Sequence, residues 1–163
     1  MNKQKKCVFA GTFDPPTVGH KYVIDTCLTV FDEVVVALMV NPQKKPTFSL
    51  EERQEMLRLC ASNDRVRVVT FSGTAAELMK KEGADVYVRG IRGAQDVEYE
   101  NYNFYATKKI ADVNVFYIPC PQELLHVSSS MVRTALQFGI SLDGYVTKEV
   151  KDFILKRAER RKD

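Results

Sequence analysis

Runs of apolar residues recur along the chain, and most of them are continuous rather than alternating with polar positions. A strand that is buried on both faces shows such a continuous run, as in the parallel sheets of α/β proteins. Five runs rich in β-branched or aromatic residues have this character: Cys7–Ala10, Val34–Val40, Val66–Phe71, Val86–Arg89 and Val113–Ile118. We therefore predict five strands of a parallel sheet.

Helical patterns, with apolar residues three and four positions apart, separate these runs. Ser49-Leu50-Glu51-Glu52 has the form of a capping box, and Gly83 and Gly139 are typical of helix C-caps. Six helices are predicted: His20 to Phe31, one starting at Ser49, Thr74 to Glu82, Ala94 to about Ile110, Ser128 to Phe138, and about 147 to 161. The alternation predicts an α/β fold, a single doubly wound, Rossmann-like domain over residues 1–163 with ligands at the carboxyl ends of the strands.

Length and composition narrow the class of protein. The chain has 163 residues, of which 45% are hydrophobic and 28% charged, which suits one folded domain and excludes a disordered chain. The longest apolar stretch is much shorter than the ~20 residues of a membrane span, and the N-terminus does not have the pattern of a signal peptide. A net charge of +3 suits anionic small molecules and is too small to indicate nucleic acid. Four widely spaced cysteines favour buried thiols in a reducing cytoplasm over disulfides or a zinc site: Cys7, Cys27, Cys60 and Cys120.

The loop after the first strand, Gly11-Thr12-Phe13-Asp14-Pro15-Pro16-Thr17-Val18-Gly19-His20, carries the strongest candidate chemistry. It lies where α/β nucleotide-binding folds hold phosphates, yet the chain has neither G-x-x-x-x-G-K-[ST] nor G-x-G-x-x-G. Gly11 permits close approach of the backbone, Thr12 supplies a hydroxyl, and His20 can donate a hydrogen bond to a phosphoryl oxygen. The alternative is a proline-rich turn with an incidental histidine, but the clustering of these residues favours a phosphate site.

Three more segments follow predicted strands and could bind anions. Arg89-Gly90-Ile91-Arg92 places two guanidinium groups around a glycine that permits close approach to a ligand. Ser128-Ser129-Ser130, with Arg133 one turn later, presents amides and hydroxyls at a helix start, whereas simple capping explains only one serine. Asn41-Pro42-Gln43-Lys44-Lys45-Pro46 sets two lysines on a stiffened loop, although lysine pairs are more often solvated surface.

Two charged segments favour a plainer interpretation. The carboxylates of Glu98-Tyr99-Glu100 could bind a ribose hydroxyl, but most such groups on helices are solvated. The basic residues from Lys156 to Lys162 complement a helix dipole, and no aromatic residues alternate with them as in a nucleic-acid arm.

Together these segments resemble a known superfamily. Gly11-Thr12-Phe13-Asp14-Pro15 with Thr17-x-Gly19-His20 looks like the T/H-x-G-H motif of the nucleotidyltransferase α/β phosphodiesterases, and Ser128–Arg133 resembles their second motif, [IV]-S-S-[ST]-x-x-R. Four segments are similar to the bacterial phosphopantetheine adenylyltransferase family within it: Lys44-Lys45-Pro46, Leu50-Glu51-Glu52-Arg53, Arg89-Gly90-Ile91-Arg92 and Glu98-Tyr99-Glu100. The resemblance extends from about Val8 to Thr147.

The resemblance implies a reaction, a cofactor and a set of site residues. AMP is transferred from ATP to 4′-phosphopantetheine in coenzyme A biosynthesis, giving dephospho-coenzyme A and pyrophosphate, with His20 as transition-state stabiliser. Mg²⁺ is held mainly by phosphates and not by protein side chains. The implied phosphopantetheine contacts are Thr12, Lys44, Ala75 and Arg89. The implied ATP contacts are Thr12, Phe13, His20, Gly90, Ile91, Arg92, Glu100, Leu124, Leu125, His126, Val127, Ser128, Ser129 and Ser130. The family also implies a homohexamer. The cysteines predict a cytoplasmic protein, and the charge and the short apolar stretches predict that it binds neither nucleic acid nor membranes.

Three positions depart from the family pattern. Thr17 stands where the broader superfamily has histidine, Leu125-His126 stands where some relatives have aromatic residues, and Ala75 holds a variable position. Within the superfamily the alternatives are a nicotinate-mononucleotide adenylyltransferase and a cytidylyltransferase for a phospho-alcohol, which lack the R-G-I-R run in this context. A distant alternative is a nucleic-acid-binding module or a fragment resembling a class I aminoacyl-tRNA synthetase core, which predicts strongly salt-dependent RNA binding.

Overall fold

The sheet has five parallel strands in the order β3-β2-β1-β4-β5. The computed structural model describes residues 4–160, so Arg161 and Lys162 of the basic tail, and the predicted helix end at 161, lie outside the described residues. The strands are β1 (Lys6–Gly11), β2 (Glu33–Met39), β3 (Val66–Phe71), β4 (Val86–Ile91) and β5 (Asn114–Pro119). The predicted α/β fold with a doubly wound parallel sheet is confirmed. The direction of winding reverses between β1 and β4, which is where such sheets form their ligand crevice.

Six helices connect and cover the strands: α1 (Val18–Leu28), α2 (Leu50–Cys60), α3 (Ala75–Glu82), α4 (Ala94–Lys108), α5 (Ser129–Phe138) and α6 (Lys148–Arg160), with a 3₁₀ turn at Gln122–Leu124. The predicted start of α1 at His20 is two residues late, because Thr17 is the N-cap and His20 is its capping-box partner. The predicted end at Phe31 is late as well, since the helix stops at Leu28 and Phe31 packs into the core from the following loop. Gly83 and Gly139 adopt the left-handed conformation expected of C-caps, with φ of 60° and 66°.

The apolar side chains form layers on both sides of the sheet. Every inner residue of β1 and β2 is buried, as the continuous apolar runs predicted. Burial on both faces does not extend to the edge strand β5, where Phe116 is 48% exposed. A further cluster, which includes Phe48, Val132 and Ile154, joins α2, α5 and α6 beyond the sheet. This cluster places α6 close to the loops at the carboxyl ends of the strands.

Among residues 4–160, no helix is long and apolar enough to cross a bilayer. The four cysteines are free thiols, and three of them are buried.

Candidate active site

A cavity of about 740 Å³ opens at the carboxyl ends of β1 and β4. It brings together most of the residues predicted from the sequence: Thr12, Phe13, His20, Lys44, Arg89, Gly90, Ile91, Arg92, Glu100, Val127, Ser128, Ser129 and Ser130. Four other predicted residues, Ala75, Leu124, Leu125 and His126, are not part of its lining. His126 instead packs edge-on against Tyr145, with 5.5 Å between the ring centroids.

Local capping geometry orients His20. The backbone N–H of Thr17 donates to Nδ1 of the imidazole at 2.9 Å, so Nδ1 is an acceptor. The proton of a neutral ring therefore resides on Nε2, the nitrogen that remains free to donate to a ligand. Phe13 packs edge-on against the ring at a centroid distance of 4.8 Å. The sequence thus builds a single N–H donor with a defined tautomer into the cavity wall.

Burial, together with the positive charges of Arg89 and Arg92, lowers the pKa of His20 from its ordinary value of 6.5 to about 4. The imidazole is therefore neutral at pH 7. It can stabilise developing negative charge as a hydrogen-bond donor, but it is not a cation in the free protein.

This depressed pKa predicts a pH dependence of stability. Between pH 6.5 and about 4 the unfolded chain binds a proton at His20 that the folded chain does not bind. The free energy of unfolding should therefore fall as the pH drops through this window, and His20→Gln should remove that part of the loss. Denaturant titrations of both proteins at several pH values test this. The prediction is contradicted if the free energy of unfolding changes equally with pH in the wild type and in His20→Gln.

The first-strand loop and the start of α5 contact each other directly. Ser129 donates its hydroxyl proton to the carbonyl of Pro15 at 2.8 Å, and Arg133 donates to the carbonyl of Asp14 at 2.7 Å. The strands that these two segments follow, β1 and β5, are not neighbours in the sheet. Instead β4 lies between β1 and β5, and the segment after β5 passes back toward the switch point.

The hydroxyl groups of Ser128, Ser129 and Ser130, which the sequence suggested for anion binding, are already hydrogen-bonded within the protein. Ser128 caps α5 by accepting from the amide of Met131, and Ser130 accepts from Arg133 at 3.0 Å. With Ser129 bound to Pro15, each hydroxyl has a protein partner. The feature left for an anion at this point is the N-terminus of α5 with its backbone amides.

Arg89 is held on two sides within the cavity wall. One guanidinium nitrogen donates to the carbonyl of Ala10 at 2.7 Å, and the other donates to the carboxylate of Glu100 at 2.8 Å. Its Nε is buried and has no hydrogen-bond partner among the described residues. A buried donor without a partner is costly, and because this nitrogen is closed to solvent it is not itself a ligand contact. Glu100, predicted to contact ATP, is thus already paired with Arg89.

Gly90 lines the cavity and also packs against α1. A Cβ at this position would lie 3.0 Å from Cγ2 of Val23 on α1, which is tighter than ordinary packing. A side chain here would press on Val23, so the contact between β4 and α1 favours a glycine, and close approach of a ligand at this position stays a prediction.

Five cationic and three acidic side chains line the cavity: Lys44, Lys45, Arg89, Arg92 and Arg133, with Asp14, Asp96 and Glu100. Asp96 accepts from the backbone N–H of Arg92 at 2.9 Å. The excess of positive charge suits a polyanionic ligand.

Sequence reasoning assigned no task to Arg53, although it noted the segment that contains it. Its side chain is buried, with the residue 5% exposed, and it donates to the carbonyls of Thr12 and Phe48 at 3.0 and 3.2 Å. A buried arginine usually has specific partners, but burial of this side chain is not visible in the sequence. The partner on the phosphate loop is 41 positions away, so no local pattern revealed it.

Most of the chain is similar in sequence to known proteins. The model of the cytidylyltransferase-like family matches residues 8–135. A phosphopantetheine adenylyltransferase of Porphyromonas gingivalis is 37% identical over 153 residues, covering 93% of this chain and 95% of that protein. A protein of the same name from Thermotoga neapolitana is 38% identical and covers 88% of this chain and 90% of its own length. Another, from Clostridium kluyveri, is 35% identical and covers 95% of this chain and 96% of its own length.

A solved structure from Vibrio parahaemolyticus, provisionally assigned as a nicotinate-nucleotide adenylyltransferase, superposes with a TM-score of 0.73. It covers 99% of this chain and 98% of its own at 22% identity. At this identity the similarity concerns the fold alone, and it confirms the predicted nucleotidyltransferase fold.

Proposed function

Because the chain belongs to the phosphopantetheine adenylyltransferase family, we propose that its cleft transfers AMP from ATP to 4′-phosphopantetheine. The products are dephospho-coenzyme A and pyrophosphate, so the protein is a nucleotidyltransferase of coenzyme A biosynthesis. The observation that carries the proposal is the geometry of His20, a neutral donor of defined tautomer on the wall of a cationic cavity.

The chemistry needs positioning more than a strong base. An oxygen of the acceptor phosphate, already anionic at pH 7, attacks the α-phosphorus of ATP while the bond to the β-phosphate oxygen breaks and pyrophosphate leaves with that electron pair. Charge accumulates on the α-phosphoryl oxygens as these bonds exchange, and fixed donors stabilise it. The Nε2–H of His20, together with Thr12 on the same cavity wall, supplies such donors to the α-phosphate.

The acceptor phosphate must approach a triphosphate of the same charge sign, which requires cations near it. Lys44 and Arg89 are our candidates for this role, since both line the cavity and carry positive charge. The ATP side would be formed by Phe13, Ile91, Arg92 and the start of α5. Ala75, Leu124, Leu125 and His126 lie outside the cavity lining, and their contacts with substrate remain predictions.

Mg²⁺ fits this cavity as a companion of the nucleotide. The cavity carboxylates are already engaged: Asp14 by two backbone amides, Glu100 by Arg89 and Asp96 by Arg92. The ion's ligands would then be phosphate oxygens, which Mg²⁺ readily accepts, rather than protein side chains. When bound, the ion neutralises charge on the phosphates.

The proposal also covers the ligands, the assembly and the cellular compartment of the protein. Its partners are ATP, 4′-phosphopantetheine and dephospho-coenzyme A, with a homohexameric assembly and neither nucleic acid nor membrane as a ligand. Free thiols at all four cysteines support a reducing compartment, the cytoplasm.

The decisive experiment measures pyrophosphate release with ATP and Mg²⁺ plus either phosphopantetheine or nicotinate mononucleotide. We expect release with phosphopantetheine only. Release with nicotinate mononucleotide alone would assign the chain to the rival activity, to which the solved structure from Vibrio parahaemolyticus was provisionally assigned.

Lys44→Ala should raise the KM for phosphopantetheine about tenfold or more, the equivalent of one charge-assisted hydrogen bond of ~1.5–3 kcal/mol. The KM for ATP should change little, because this ammonium group faces the acceptor in our assignment. Saturation curves with each substrate varied in turn test this, with Lys45→Ala as the neighbouring comparison. If the KM for ATP rises instead, Lys44 belongs to the triphosphate site.

A further inference from the structure

The basic C-terminal helix, to which the sequence assigned no function, reaches the loops of the cavity through Arg157. Its Nη2 donates to the carbonyl of Thr47 at 3.2 Å, and its guanidinium carbon lies 4.5 Å from the ring centroid of Phe48. Its Nε donates to the carboxylate of Glu52 on α2. The arginine side chain is only 17% exposed, unlike an ordinary solvated charge. One side chain on α6 therefore holds two consecutive residues, Thr47 and Phe48, which we call the 47–48 segment.

The 47–48 segment is bound to the phosphate loop on its other side. The backbone amides of Thr47 and Phe48 each donate to a different carboxylate oxygen of Asp14, at 2.9 Å in both cases. Asp14 is 8% exposed and lies between Phe13 and the start of α1. Arg53 adds a second connection, because it donates both to Phe48 and to the carbonyl of Thr12.

The segment immediately before it carries two of the five cationic side chains of the cavity. Lys44 and Lys45 lie on a loop whose own contacts are local: the amides of Gln43 and Lys44 donate to Asn41 at 2.9 and 3.1 Å. Within residues 4–160, neither lysine ammonium group has a hydrogen-bond or ion-pair partner. The 47–48 segment is therefore the anchor at the C-terminal side of this loop, and its position sets where the ammonium groups lie.

We propose that Arg157 is a positioning residue for Lys44, acting through the 47–48 segment. It touches no substrate. It holds the segment against Asp14, so that the lysine loop is restricted before substrate binds and less conformational entropy is lost on binding. The effect should fall on phosphopantetheine rather than on ATP, a consequence that rests on the proposed function of Lys44.

An arginine is required for this arrangement. The planar guanidinium can donate to a carboxylate, donate to a carbonyl and stack on a ring at the same time, and a lysine ammonium group cannot do all three. Arg157→Lys should therefore restore little of what Arg157→Ala loses. A simple ion pair with Glu52 would instead be largely restored by lysine.

The first test needs no substrate. Hydrogen exchange of the Thr47 and Phe48 amides, followed by NMR, should accelerate at least tenfold in Arg157→Ala, because the Asp14 bonds open more often. Lys156→Ala is the matched control, since it removes an exposed charge from the adjacent position of the same helix. Equal exchange rates in the two variants would overturn the proposed anchor, whatever the enzyme's substrate is.

The second test measures kinetics. Arg157→Ala should raise the KM for phosphopantetheine three- to tenfold and leave the KM for ATP within twofold, with Lys156→Ala matching the wild type. Faster exchange with unchanged KM values, or an equal rise in the KM values of both substrates, would overturn the positioning role.

If Arg157→Ala does not fold, Arg157→Lys and Arg157→Gln undergo the same two measurements. A wild-type protein inactive toward phosphopantetheine would refute the proposed function, while the exchange experiment would still decide whether the anchor exists.

Discussion

His20→Ala is expected to lower kcat by about 10²–10³, as the loss of one preorganised donor does in comparable sites. The binding of ATP should change much less. The Nε2–H of His20 is oriented by the amide of Thr17 and packed by Phe13, so it is already in place where charge develops in the transition state. A donor that acts chiefly on the transition state removes rate rather than ground-state affinity. Steady-state kinetics together with a direct measurement of ATP binding tests this.

His126→Ala is the matched comparison, because it removes the chain's other histidine. That side chain packs against Tyr145 and is not part of the cavity lining, so kcat should stay within about threefold of the wild type. The catalytic assignment is wrong if His20→Ala weakens ATP binding while kcat is preserved, since the residue would then be a binding residue only.

Arg89→Lys should impair the reaction nearly as much as His20→Ala, although it keeps the positive charge. Arg89 donates simultaneously to Ala10 and to Glu100, and these two bonds fix its guanidinium in the cavity wall. A lysine cannot reproduce this planar arrangement, so Glu100, which is 8% exposed, loses part of its pairing. We expect the KM for phosphopantetheine to rise about 10- to 100-fold, the equivalent of a charge-assisted hydrogen bond of ~1.5–3 kcal/mol. A fall in kcat should accompany it.

Arg65→Lys is a suitable control for this substitution. Arg65 also donates to two backbone carbonyls, those of Leu28 and Phe31, but it is not part of the cavity lining. Its replacement should leave both KM values unchanged. A rise in the KM for ATP alone in Arg89→Lys would show that this guanidinium serves the triphosphate rather than the acceptor.

The sequence by itself determined the features that depend on neighbouring residues. The strands follow from continuous apolar runs, and the helix starts and ends follow from capping boxes and left-handed glycines, because each depends on residues within about four positions. The donor role predicted for His20 belongs to this class, whereas its tautomer came from the structure, although the partner Thr17 is only three positions away. The resemblance of the motifs to the family supplied the reaction.

Only the tertiary structure decided how distant residues share the cavity. It paired Glu100 with Arg89, assigned Gly90 to packing against Val23, and left Ala75 and Leu124–His126 outside the lining. It also joined Arg157 to Thr47, 110 positions earlier in the chain. The physical reason is that a hydrogen bond between distant residues depends on where the sheet and the helix cluster place them. No periodicity or spacing in the sequence records that placement.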